Sequence, residues 1–349
     1  MNENNAGPEE TGRLLSVYKT ELAKRIVGQG NMIDGLLTAL IAGGHILLEG
    51  VPGLAKTLAV KSLAEITGLA FRRIQFTPDL LPADLTGTLI WEQGRGSFSV
   101  RRGPVFANVI LADEINRAPA KVQSALLEAM EEKQVTIGET TYPLPEPFFV
   151  LATENPIEHE GTYALPEAEL DRFLLKLLVP YPAPEEELDI VKRSGSLSEG
   201  AGGADARRSP LSPVLDMKEG IGLLRNAADS VYLDERMVKY MVSIVVATRP
   251  PAARTVPGAR VQMKAQPGAG EGIYRYISFG ASPRASIALY RCARIHALFE
   301  GRAFVNPDDV KAAAYPVLRH RIVLSYEAEA DGLDADAVIA RILAHVPVP

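Results

Sequence analysis

Glu49-Gly50-Val51-Pro52-Gly53-Leu54-Ala55-Lys56-Thr57 follows a short apolar run, His45-Ile46-Leu47-Leu48, and precedes a helix-forming segment, Leu58–Ile66, closed by Thr67-Gly68. The apolar run predicts a buried strand, so the stretch is a glycine-rich turn between a strand and a helix. That is the setting of a phosphate-binding loop. Successive backbone N–H groups converge on an anion, and the helix N-terminus adds a favourable dipole. In such a loop Lys56 reaches the outer phosphates of a nucleotide, and the Thr57 hydroxyl holds Mg²⁺. Ala55 stands where glycine usually precedes the lysine. Its N–H still serves the cradle if its φ is negative. Taken alone, the stretch also reads as an ordinary Gly-Pro turn before a surface lysine.

A second stretch weighs against that plainer reading. Val105-Phe106-Ala107-Asn108-Val109-Ile110-Leu111-Ala112 predicts a mostly apolar strand that delivers Asp113 and Glu114 at its C-terminal end, where open α/β sheets place their ligands. Asp113 suits a Mg²⁺-bound water. Glu114 suits polarising an attacking water. Phe148–Thr153 predicts a further buried strand ending in Glu154-Asn155-Pro156, which puts a polar residue near the terminal phosphate.

The chain has 349 residues, enough for two domains. Hydrophobic residues at 47% and charged residues at 23% fit a globular chain. Lys and Arg number 37 against 43 Asp and Glu, a net charge of -6 that speaks against a dedicated nucleic-acid binder. The single Cys292 excludes an internal disulfide and fits a reducing compartment. No apolar run approaches the roughly 18 residues of a membrane span, and the polar, acidic start is no signal peptide. Together these predict a cytoplasmic protein.

Along the chain, residues 1–12 are expected to form a disordered tail. Helical spacing of Leu14, Val17, Tyr18, Leu22 and Ile26 predicts a first helix, and Met32–Ile41 a second. Hairpins are predicted around Gln93-Gly94-Arg95-Gly96 and Gly138-Glu139. Pro119–Glu132 reads as a helix with Val122, Leu126, Leu127 and Met130 on one face. The acidic loop Glu158-His159-Glu160 lacks the further ligand a metal site needs. Pro180-Tyr181-Pro182-Ala183-Pro184 marks a boundary, giving a core over 13–181 and a second domain over 182–349. That second domain reads as helical throughout, with flexible insertions near 195–213 and 250–277. In Ser282-Pro283-Arg284, serine suits an N-cap and proline a first helical position, which puts Arg284 in the first turn. A cation there is disfavoured by the helix dipole unless an anion, such as a triphosphate, faces it.

Together these stretches resemble the AAA+ ATPases and, within them, the MoxR family. Gly50–Thr57 is similar to that family's Walker A, which itself commonly has alanine before the lysine. Asp113–Ala118 is similar to its Walker B, and Ala152–Pro156 to its sensor 1, with Asn155 in the sensor position and Glu154 where many relatives have glutamine. Glu167–Phe173 resembles the arginine-finger segment and points to Arg172; Gly280–Ala285 resembles sensor 2, carried by Arg284. The hairpin around Trp91 resembles the family's insertion in its second core helix, and Val135–Leu144 its pre-sensor hairpin. Arg254–Arg275 is longer than the pattern leads one to expect.

The resemblance implies an α/β fold: an αβα core with a parallel five-stranded sheet, order 5-1-4-3-2, followed by a small all-helical lid. It implies ATP and Mg²⁺, with Val27, Gly28 and Gln29 near the base and Gly50, Val51, Pro52, Gly53, Leu54, Ala55, Lys56, Thr57 and Leu58 around the phosphates. Mg²⁺ would be held by Thr57 and, through water, by Asp113. Glu114, Asn155, Arg172 and Arg284 would be the catalytic residues. Family members are expected to form homo-oligomeric rings, typically hexamers. They are expected to act like chaperones in assembly or metal insertion of partners containing a von Willebrand factor A domain. Two other classes compete. Arg95, Arg101 and Arg102 beside the first hairpin keep a nucleic-acid motor open, to be told apart by salt-sensitive binding. A nucleotide-gated scaffold without turnover would carry a damaged Walker B or finger, and neither is damaged here.

Overall fold

The structure, a computed structural model, describes residues 8–51, 53–94, 96–156, 162–194, 211, 217–250 and 271–349. Pro52, Arg95, the acidic loop 158–160 and most of the insertions at 195–213 and 250–277 lie outside the described residues. The strands are β1 (Ile46–Glu49), β2 (Phe71–Gln75), β3 (Gly87–Glu92), β4 (Ser97–Arg102), β5 (Val109–Asp113) and β6 (Gln134–Ile137). They continue with β7 (Thr140–Pro143), β8 (Phe149–Glu154), β9 (Leu175–Leu178), β10 (Ile277–Phe279) and β11 (Val323–Leu324).

The chain divides into two compact units, one comprising Arg13–Leu165 and Leu177–Leu223, the other Met1–Gly12, Pro166–Lys176 and Leu224–Pro349. The division does not follow the proline-rich segment. Helix Pro184–Ser194 groups with the first unit; its Glu186 carboxylate accepts from the Ala183 N–H at 2.8 Å and lies over Gly28. Prolines break regular structure without deciding which core the next element joins.

The five-stranded sheet runs β2-β5-β8-β1-β9, which in core-strand numbering is the expected 5-1-4-3-2. The pairs β2/β5, β5/β8 and β1/β8 are parallel. Strands β1, β5 and β8 are buried along nearly their whole length, as parallel strands covered on both faces must be. Strand β2 sits at the edge and exposes Arg72 and Arg73. Register matters for the site: Gln75 pairs with Asp113 and Glu49 with Glu154, so the strands deliver their polar residues at one level. Helix Ala120–Glu132 buries Val122, Leu126, Leu127 and Met130 as expected, and also Gln123. Both predicted hairpins form, as β3/β4 and β6/β7.

Residues 8–12, expected as tail, are helical: the first helix is Pro8–Ala23 and buries Thr11. Proline suits a helix start, so Pro8 opens the helix rather than ending a tail. Its inward face is Leu15, Tyr18 and Leu22, while Val17 points outward.

In the second unit helices Glu235–Ala247, Pro283–Phe299, Pro307–Leu318 and Ala335–His345 pack through apolar faces. Asp309 is fully buried and accepts from Arg302, from His296 and from the Asn306 N–H. Those donors hold its carboxyl down at about 2 against the opposing effect of burial, the largest single influence. The unit is not all helical: β10 and β11 pair antiparallel, and Glu271–Tyr274, within the expected insertion, forms a helical turn. Strands this short carry too few residues for an alternating pattern to register. Cys292 is buried, which pushes its thiol up to about 12 and leaves it inert.

Candidate nucleotide site

Three strand ends and one helix start build a cleft of about 540 Å³, all of it from first-unit residues. Strand β1 ends at Glu49, and the chain turns at Gly50, whose N–H donates to the Glu154 carbonyl at 3.3 Å. A side chain at Gly50 would put its Cβ 2.8 Å from the Val179 carbonyl oxygen, so only glycine fits. Gly53 has φ +87 and open space around it, and helix Lys56–Thr67 then begins.

Ala55, at the N-cap of that helix, has φ +58 and ψ +14. The negative φ on which the sequence argument rested is therefore corrected. The turn from strand to helix requires a left-handed residue before the lysine, and alanine adopts it at a cost glycine would not incur. No side chain caps the helix, so its first N–H groups remain for an anion. Ala55→Gly is expected to be neutral or to stabilise by up to ~1 kcal/mol, since relief of the left-handed strain is partly offset by greater freedom in the unfolded chain. Denaturant midpoints check this; a loss beyond ~1 kcal/mol contradicts it.

Lys56, Thr57 and Leu58 line the cleft together with Gly50, Gly53, Leu54 and Ala55. The Lys56 ammonium donates to the Gly50 carbonyl. Burial lowers its pKa, and Asp113, Glu114 and Glu49 pull it back up. Opposite the loop, Asp113 Oδ1 accepts from the Thr153 hydroxyl at 2.6 Å and Oδ2 from Arg73 at 2.6 Å. Glu114 also has a left-handed backbone, φ +56. Its N–H donates to Thr153 Oγ1 at 2.9 Å, and its Oε2 accepts from Gln75 at 2.8 Å and Arg117 at 3.1 Å. Asn155 is buried and also lines the cleft. Gln123 fixes the following turn, donating to the carbonyls of Ile115, Ala118 and Tyr163.

The remaining expected residues lie elsewhere. Val51 and the segment Val27-Gly28-Gln29 are not among the cleft's lining residues. Gly28 has φ +72, and the Gln29 amide donates to the Pro180 carbonyl at 3.2 Å. Pro52 lies outside the described residues. Arg172 and Arg284 belong to the second unit. Arg172 sits in the turn between helix Glu167–Leu170 and β9. Arg284 is exposed in the first turn of Pro283–Phe299, with Ser282 as N-cap, as capping logic required. Sequence reasoning missed Lys61, Arg73, Gln75 and Thr153, since nothing local marks them.

Among the described residues no group of three or more His, Cys, Asp or Glu could hold a metal alone. The Thr57 hydroxyl and the Asp113 carboxylate are hard oxygen donors at one cleft. That set fits Mg²⁺, which takes one or two protein oxygens and completes its shell with water and phosphate.

Residues 45–175 match the model of the ATPase family associated with various cellular activities (AAA), and residues 273–342 match that of the AAA lid domain. Chaperone MoxR1 of Mycobacterium tuberculosis is 47% identical over 94% of this chain and 81% of its own length. The chain belongs to the MoxR family of AAA+ ATPases. Protein MoxR of Paracoccus denitrificans is 33% identical over 93% of both chains. A crystal structure of a Cytophaga hutchinsonii protein, described as a candidate ATPase, superposes with a TM-score of 0.84 at 47% identity, covering 97% of this chain and 96% of that one. Within this MoxR-family chain, Arg172 falls in the segment matched by the AAA model and Arg284 in that matched by the lid model. No helix is long and apolar enough to cross a membrane, among the described residues.

Proposed function

We propose that this protein is a Mg²⁺-dependent ATPase of the cytoplasm that assembles into a homo-oligomeric ring, a hexamer in the pattern of its family. ATP hydrolysis would drive chaperone-like remodelling, assembly or metal insertion of a partner containing a von Willebrand factor A domain. One observation carries the reading: Lys56, Thr57, Asp113, Glu114 and Asn155, from two strand ends and a helix start, line one cleft. ATP is the substrate. The uncapped helix start and Lys56 bind its phosphates, while Val27, Gly28 and Gln29 lie near its base. Thr57 and, through water, Asp113 would hold Mg²⁺, which would neutralise charge on the phosphates. Glu114 polarises the attacking water, and Asn155 orients it. Arg284 contacts the nucleotide from the lid, and Arg172 reaches the nucleotide of the neighbouring subunit.

The first test is Lys56→Ala. A lost charge-assisted contact is worth ~1.5–3 kcal/mol, so ATP affinity should fall roughly 10- to 100-fold. Equilibrium binding of a fluorescent ATP analogue measures it, and unchanged affinity removes the phosphate-loop assignment. For the partner, a Glu114→Gln subunit held in the ATP state serves as the trap. Recovery of von Willebrand factor A domain proteins supports the partner class, and their absence from the captured set removes it.

A further inference from the structure

Asp171 and Ser282 join the two arginines of the second unit. The Ser282 hydroxyl caps helix Pro283–Phe299 by accepting from the Arg284 N–H at 3.1 Å. The same hydroxyl donates to Asp171 Oδ2 at 2.7 Å, across 111 residues of sequence. One oxygen thus connects the backbone of Arg284 to the residue preceding Arg172. The other carboxylate oxygen of Asp171 accepts from Arg321 Nε at 2.7 Å. Arg321, with only 3% of its side chain exposed, also donates to the carbonyls of Asp171, Phe173 and Leu174. His320 Nε2 donates to the Phe173 carbonyl at 2.9 Å, since a carbonyl can only accept. Within the second unit, the turn that carries Arg172 is therefore held on both sides of that residue by Ser282, His320 and Arg321.

The arrangement exceeds what stability asks of it. A buried arginine needs a counter-charge and acceptors, which Asp171 and the three carbonyls supply. Asp171's second oxygen could have faced water. It is spent on the cap of the one helix whose first turn bears Arg284. A helix cannot shift along or about its axis without its N-cap, and the cap hydroxyl cannot move far from Asp171 without losing a charge-assisted bond.

We infer that Asp171 is a positioning residue which, through the Ser282 hydroxyl, makes Arg172 and the Arg284 helix a single moving body. The inference rests on the roles proposed above for the two arginines. Its consequence is directional. A nucleotide that draws Arg284 toward itself in one subunit also sets the arginine that this subunit presents to its neighbour.

Mixed assemblies test it. Arg172→Ala subunits keep their own pocket but give nothing to the neighbour, and Glu114→Gln subunits keep the finger but have a dead pocket. A mixture of the two should recover ATPase activity. The donor is then changed to Glu114→Gln with Ser282→Gly. Glycine is tolerated at an N-cap but has no hydroxyl to bridge. The expected result is a fall in recovered kcat of fivefold or more, with the KM for ATP unchanged and the donor's melting temperature and subunit exchange retained. A Glu114→Gln donor with Ser282→Thr, which keeps the hydroxyl, should rescue fully. A further donor, Glu114→Gln with Asp171→Asn, interrupts the chain at its other end and should show the same fall. Full rescue by either the Ser282→Gly or the Asp171→Asn donor overturns the inference. Failure of the plain Glu114→Gln donor to rescue, despite demonstrated exchange, overturns the finger assignment beneath it instead.

Discussion

Glu114→Gln is expected to bind ATP as the wild type does and to lose turnover by ~10³-fold, within the ~10²–10⁴ that a positioned general base contributes. The substitution is nearly isosteric, so the left-handed backbone and the Thr153 bond to the Glu114 N–H are retained. Asp113, with its own bonds to Thr153 and Arg73, is untouched, so the metal-assisted phosphate binding proposed for it should persist. What disappears is the negative oxygen that Gln75 and Arg117 now hold at the cleft. An amide cannot draw a proton from water. Steady-state ATPase rates alongside nucleotide titration give the two halves of the result. A wild-type hydrolysis rate would mean that another group polarises the water, and the roles given to Asp113 and Glu114 would have to be redrawn.

The glycine-rich turn and the strand-end carboxylates were legible because their signals are local. Gly50 and Gly53 stand within four positions of each other, and Asp113 and Glu114 terminate an uninterrupted apolar strand. Ala55 was legible as a departure, yet not in its sign. Its φ is set by how β1 must turn into helix Lys56–Thr67, and no neighbour in sequence reports that. Gln75, Arg73 and Thr153 were not legible at all. Each reaches the carboxylates from a strand flanking β5, and that adjacency exists only once the order β2-β5-β8 is known. The same holds for Ser282. Its capping role follows from the Pro-Arg after it, whereas its bond to Asp171 spans 111 residues. Periodicity also misjudged the first helix: Leu15, at helical spacing from Thr11, Tyr18 and Leu22, faces inward, whereas Val17 lies on the opposite side and is exposed.

Arg172→Ala is expected to lower kcat by roughly 10³-fold while leaving ATP affinity within about threefold, because an arginine finger adds charge at the transition state rather than at the bound ground state. The cleft itself contains Lys56 and Asp113 but not Arg172, so the variant's own pocket is intact. In the variant the turn keeps the bonds that its Phe173 and Leu174 carbonyls accept from Arg321 and His320. Arg172→Lys keeps a charge but lacks the planar fork that meets phosphate oxygens in pairs, so it should recover only a minor part of the loss. If the finger acts on a neighbour, wild-type specific activity must also rise with protein concentration as subunits associate. Arg172→Ala should instead stay low and flat across the same range, with assembly verified by sedimentation. Wild-type activity that persists unchanged after dilution to monomer would show that each pocket is complete by itself. Arg172 would then lose its role across the subunit boundary, and the mechanistic need for a ring would go with it.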